Sequence, residues 1–137
     1  MRMARRFFAA LGLTVAIILG APLSAASAAS PSTVTTLAAW DCPVGDFCAW
    51  SGANGTGSRC NWTDADNDWW AGATVCSWSK TTSMKSFWNR GTSTSYPGVH
   101  LYLNANYGSE WYCAVRGSKY NGEGWMRSHR WQTGSCN

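Results

Sequence analysis

Ala49-Trp50-Ser51-Gly52-Ala53-Asn54-Gly55-Thr56-Gly57 is echoed about fifty residues later by Leu101-Tyr102-Leu103-Asn104-Ala105-Asn106-Tyr107-Gly108-Ser109. Each copy has an aromatic residue, Ala-Asn three and four positions on, a glycine-containing turn, and then a cysteine, Cys60 or Cys113. The same local instruction given twice specifies one supersecondary element used twice, so the chain reads as a pseudo-symmetric pair. Within each copy the backbone must reverse tightly. Gly55, Gly57 and Gly108 are placed to take positive φ there, and Asn54 and Asn106 tolerate the same left-handed region.

Outward from the repeat, the chain carries short-strand signals. Twelve glycines follow residue 28, and no segment keeps apolar residues at helical spacing for three turns. Strands are expected at Phe47 to Trp50, Arg59 to Thr63, Thr74 to Trp78, Ser83 to Asn89, Val99 to Leu103 and Trp111 to Arg116. In the clearest of them Val99, Leu101 and Leu103 alternate onto one face and His100 and Tyr102 onto the other.

The first residues belong to a different function. Arg2, Arg5 and Arg6 precede an apolar run, Leu11 to Leu19, and Ala26-Ser27-Ala28 offers a small-residue cleavage site. Residues 1–28 therefore read as an export signal and residues 29–39, rich in Ser, Thr and Ala, as a flexible leader to a domain over 40–137. The apolar run is too short for a permanent membrane anchor. The expected location is extracellular. Past residue 28 eight Lys and Arg face seven Asp and Glu, scattered without a basic stripe, which argues against nucleic acid as a partner.

All six cysteines, Cys42, Cys48, Cys60, Cys76, Cys113 and Cys136, lie in the exported part, an even count that reads as three disulfides. Six cysteines allow fifteen pairings. Proximity favours Cys42 with Cys48, Cys60 with Cys76 and Cys113 with Cys136; the competing scheme joins Cys60 to Cys113 across the two copies. No C-x-x-C pair exists and His100 and His129 are far apart in sequence, so neither a metal nor another cofactor is expected. Past residue 28 stand five Val, three Leu and no Ile against ten Trp, five Tyr and two Phe. The core must be aromatic, and a domain this small needs the crosslinks.

Other motifs carry less. Asp64, Asp66 and Asp68 resemble the start of a calcium loop, but the sixth and twelfth positions hold Trp69 and Val75 where Gly and Glu are required; a solvated acidic loop is the better reading. Trp69-Trp70 admits either a sugar-stacking platform for cell-wall glycan or a plug in the aromatic core, and the shortage of aliphatics favours the plug. No nucleophile motif accompanies the two histidines, and no enzyme is expected.

The doubled unit resembles the Greek-key signature of βγ-crystallin-like domains, and Cys42 to Trp50, C-P-V-G-D-F-C-A-W, resembles the opening of the bacterial peptidase inhibitor family I36. The likeness covers Trp40 to Gly117. In the family pattern a second aromatic stands five positions after the first and a glycine two beyond it. The first copy has Gly55 and Gly57 at those places and lacks the aromatic, whereas the second has Tyr107 and Ser109, with its glycine one position early. The resemblance implies an all-β, βγ-crystallin-like double Greek-key sandwich stapled by disulfides. It further implies a secreted, monomeric inhibitor whose partner is an extracellular metallopeptidase, blocked at its substrate cleft. Segments beside a cysteine are the candidate contacts: Cys113, Ala114 and Val115, or Ala73 to Cys76. For Ala114 and Val115, taken singly, burial in a strand is the favoured reading over contact. The alternative function is an antimicrobial or glycan-binding protein of the same fold. At Thr82 to Phe87, where related domains often carry paired Ser/Thr calcium ligands, this chain departs from that signature.

Overall fold

The structure is a computed structural model that describes residues 38–136. The expected export signal, and the expected leader apart from Ala38 and Ala39, lie outside the described residues. Seven strands follow: β1 (Phe47–Trp50), β2 (Arg59–Trp62), β3 (Met84–Asn89), β4 (Gly98–Asn104), β5 (Gly108–Val115), β6 (Lys119–Gly124) and β7 (Ser128–Gln132). They form two antiparallel sheets, ordered β2-β1-β3-β6 and β5-β4-β7. Asp66 extends the second sheet as an isolated bridge to His129, through Asp66 N–H to His129 C=O and the reciprocal bond, each 2.9 Å.

This order is an exchange. β6, from the second half, pairs with β3 of the first sheet, and the Asp66 segment, from the first half, pairs with β7 of the second. Each half completes the other's sheet, as two interlocked Greek keys do. The all-β, disulfide-stapled sandwich expected from the sequence is the architecture found.

The repeated stretch builds the same arch twice. Asn54 and Asn106 both sit at φ 56°, ψ 35°. Positive φ follows at Gly55 (67°) and Gly57 (77°) in the first copy and at Tyr107 (61°) and Ser109 (56°) in the second. Gly108, expected to supply the reversal, is instead at φ −87°. The backbone register of the two arches is thus conserved where their residues differ. A serine from the strand that ends each unit pins its arch: Ser86 Oγ accepts from Gly55 N–H (3.0 Å) and donates to Gly52 C=O (2.7 Å). Ser128 Oγ does the same for Tyr107 N–H (3.1 Å) and Asn104 C=O (2.6 Å).

The aromatic missing from the first arch comes from outside it. Tyr107 packs edge-on against Tyr102, centroids 5.7 Å apart, with Arg130 over its ring at 4.9 Å. In the first arch Trp40 packs edge-on against Trp50 at 5.5 Å, with Lys119 over its ring at 5.2 Å. Trp40 N–H is bonded to Gly55 C=O (3.1 Å), and a Cβ on Gly55 would run into the Trp40 backbone and ring. Gly55 is therefore glycine for two reasons, its φ and the indole laid against it.

Between the sheets Phe47, Trp62, Trp69, Phe87, Met84, Val99, Leu101, Ala114 and Met126 are buried. Trp62 and Trp69 stack at 4.5 Å and Phe47 lies 5.2 Å from the His129 ring. Three expectations need correction. Thr74 to Trp78 is no strand: Val75 is exposed and a 3₁₀ turn runs over Ser77–Lys80, where Ser79 Oγ bonds Cys76 C=O (2.8 Å) and draws the backbone into a turn. The alternation in β4 fails at Leu103, which is 40% exposed, because the register against β5 shifts between Leu101 and Tyr102. β6 and β7 were not expected as strands.

Candidate functional site

The three disulfides join Cys42 to Cys48, Cys60 to Cys76 and Cys113 to Cys136, closing separations of 6, 16 and 23 residues. Each lies within one half, and the competing Cys60–Cys113 link is absent. They differ in setting: Cys42, Cys48 and Cys76 are buried, whereas Cys113 and Cys136 are both half-buried at the surface.

The middle bridge frames a loop. Trp69 is buried, with its N–H bonded to Arg127 C=O (2.8 Å), and Cys76 N–H returns to Trp69 C=O (2.7 Å). Hydrogen bond and disulfide together close the base of Trp70 to Val75. Between these anchors Ala71, Gly72, Ala73 and Val75 are exposed and Thr74 half-exposed, with Gly72 at φ 84°. Trp70 is held against the body by Arg127, whose guanidinium lies 3.7 Å from the ring centroid, and by Nε1–H donated to Ser79 Oγ (3.1 Å).

Of the other expected contact, Ala114 faces the core at 0% exposure and only Cys113 and Val115 reach the surface; Val115 is 51% exposed. They lie on β5, an edge strand. The Trp69-Trp70 pair does not form a surface platform: Trp69 is fully buried and Trp70 is covered by Arg127.

The acidic run is tied down rather than merely solvated. Asp66 accepts from Trp62 Nε1–H (2.8 Å) and Asp68 N–H (2.9 Å). Asp68 takes both Arg127 Nε–H (2.9 Å) and Nη2–H (2.8 Å) and caps Trp70 N–H (3.0 Å). The Arg127 guanidinium, with the Trp70 N–H, holds the Asp68 carboxyl below its ordinary range, and burial opposes this only in part. On the corresponding strand of the first half, Lys85 pairs with Glu123 at 2.7 Å, and Ser83 donates to the same carboxylate (2.5 Å). Both acids thus carry a cation from the protein itself, supplied one residue before the pinning serines Ser86 and Ser128.

The two histidines have separate environments. His129 is fully buried: Trp69 Nε1–H donates to its Nδ1 (2.8 Å), so its Nε2 carries the proton and donates to Asp64 C=O (3.1 Å). Desolvation drives its pKa down to about 3, against a smaller opposing effect of the Asp64 carbonyl. His100 is buried at 8% exposure, between Glu110 Oε1 (2.6 Å from Nδ1) and Cys113 Sγ (3.2 Å from Nε2). Sequence spacing gave no hint of this grouping, because it depends on the β4–β5 register setting His100 opposite Cys113.

Two exchanged Greek keys, a small aromatic core and a surface loop ending at a disulfide define a small crosslinked β-sandwich. The profile of peptidase inhibitor family I36 matches residues 35–114, more than half of the chain, and the chain belongs to that family. No curated protein and no solved structure gives a significant match.

Proposed function

We propose that this chain is a secreted inhibitor of metallopeptidases that occupies the substrate cleft with the loop Trp70 to Val75. Membership of an inhibitor family supports the peptidase as partner. The export signal read from residues 1–28 and three bridges support the extracellular setting. One observation carries the choice of loop: small and apolar side chains stand exposed between a buried tryptophan and a disulfide, with the loop base closed by Cys76 N–H to Trp69 C=O. A segment fixed in this way loses little entropy on binding, so its contacts appear as affinity instead of being consumed in ordering. The loop contains no Lys or Arg, so a peptidase pocket built around an acid would find no cation there.

Titrating the protein against thermolysin-like and trypsin-like peptidases tests the target, with a sharp equivalence point expected for the metalloenzyme and none for the serine enzyme. A serine-only response would overturn the metallopeptidase assignment. For the loop, Val75→Asp is expected to weaken inhibition tenfold or more, about 1.4 kcal/mol or above, by placing a charge in an apolar subsite. Val115→Asp on β5 should leave it unchanged. The opposite pattern would move the contact to β5.

A further inference from the structure

The Cys113–Cys136 bridge lies in a surface cleft of about 540 Å³ that is also lined by Glu110, Trp111, Tyr112 and Val115. His100, the imidazole beside it, has no part in the proposed inhibitory loop. A carboxylate can only accept, so Glu110 fixes the imidazole proton on Nδ1; in the neutral ring Nε2 then presents its lone pair to Cys113 Sγ, 3.2 Å away. The ligating atoms of His100, Cys113 and Cys136 all lie within 4.8 Å of one another. Both sulfurs rest directly on the backbone of Gly98, where a Cβ would collide with each. This arrangement, a carboxylate orienting a histidine toward two sulfurs, has the second-shell plan of a thiolate-histidine zinc centre.

We propose that Cys113–Cys136 is a redox-gated metal site: on reduction, the two thiolates and His100 Nε2 bind one zinc ion, with the fourth position open to the cleft. A small dithiol is the reductant. Its thiolate attacks Cys136 Sγ, the S–S bond breaks and Cys113 leaves as a thiolate beside His100. The second thiol of the reductant then attacks the mixed disulfide, releasing Cys136, and the reductant becomes a cyclic disulfide after giving up two electrons. Zinc next displaces the protons of the two thiols. Cys42, Cys48 and Cys76 are buried, so neither of the other bridges presents two accessible sulfurs, and access is one of the factors that set exchange rate.

The test uses the whole exported protein, limiting dithiothreitol, and cobalt(II) as the spectroscopic stand-in for zinc. Alkylation mapped by mass spectrometry should find Cys113 and Cys136 first. The reduced protein should then bind one equivalent of cobalt, with the intense visible bands and near-ultraviolet thiolate charge transfer of a tetrahedral centre, and zinc should displace it. Glu110→Gln should weaken metal binding about 10–100-fold while retaining the bands, as loss of an orienting partner does. His100→Gln should lose the tetrahedral spectrum. A Cys113→Ser/Cys136→Ser protein, checked for native near-ultraviolet circular dichroism, should take up no cobalt. Earlier reduction of Cys60–Cys76, an octahedral cobalt spectrum in the reduced protein, or equal cobalt uptake by the double-serine variant each overturns the proposal. Every readout is of thiols or metal, so the result is independent of whether the loop inhibits a peptidase.

Discussion

At the scale of single residues, His129 couples the core to pH. It is neutral and fully buried in the folded protein, with a pKa near 3, whereas the unfolded chain would protonate it near 6.5. Between those values the unfolded state binds the extra proton, so acid favours unfolding and stability falls as pH is lowered from 6.5 toward 3, by at most about 1.4 kcal/mol per pH unit. Asp68 and Glu123, held below their ordinary 3.8 and 4.5, also lose stabilisation in acid, but only as pH falls through the carboxylate range. The interval from about 5.5 to 6.5, a unit above the unfolded Glu123 value, therefore isolates the histidine. Urea midpoints should decline steadily across it, and His129→Gln should flatten that decline. A wild-type profile already level there would refute the buried neutral imidazole. Ser86 and Ser128 make a second residue-scale case. Each hydroxyl satisfies one N–H and one C=O of its arch, so Ser86→Ala and Ser128→Ala should each cost about 1–3 kcal/mol in denaturant titrations, and by similar amounts. A negligible loss at either position would mean that water replaces the serine there and that the two arches are not equivalent.

Among the elements, the first arch shows how a motif can be kept while its sequence changes. A Cβ on Gly55 collides with Trp40, so Gly55→Ala should destabilise by about 2 kcal/mol or more, combining the clash with left-handed strain. In a Trp40→Gly background the contact with the indole is removed while the contact with the backbone of residue 40 and the strain remain, so the cost of Gly55→Ala should drop in part, by about 0.5 kcal/mol or more. Strict additivity in that double-mutant cycle would show that Trp40 does not occupy the place of the missing aromatic. The same arch explains what could be read from the chain. β1, β3 and most of β4 were legible because Phe47, Phe87, Val99 and Leu101 mark buried faces. β6, Lys-Tyr-Asn-Gly-Glu-Gly, was not: Gly124 is a buried position without a side chain, and the Tyr120 ring fills the space of a Cβ on Gly122. β7 was hidden because Ser128 and His129, polar by type, are its fully buried residues. Hydrophobic periodicity has no signal for a strand whose inward groups are a hydroxyl, an imidazole and glycine. The loop Trp70 to Val75 had a β-rich reading at its end, and only the tertiary contacts of Trp69 and Cys76 turn that end outward.

For the molecule as a whole, the exchange of segments decides how it holds together. The crosslinks were legible from the cysteine count and the aromatic bias, but the trade of β6 for the Asp66 segment was not, since it is fixed by contacts between residues distant in the chain. No disulfide spans the halves. What joins them is the shared core and hydrogen bonds such as Trp69 Nε1–H to His129 and Asn54 N–H to Asn121 Oδ1 (2.7 Å). Each half is about fifty residues, too small to bury an aromatic core alone, and each lacks the strand that its partner contributes. Cutting the chain in the exposed stretch Thr92 to Tyr96 should therefore leave a protein that stays assembled by non-covalent contact but whose melting temperature rises with concentration, as for any obligate pair. Fragments 38–92 and 93–136, with their bridges intact, should each lack near-ultraviolet circular dichroism alone and regain it on mixing at equal molarity. If either fragment alone unfolds cooperatively, the halves are independent domains in contact, and the exchanged strands contribute little to the stability of either sheet.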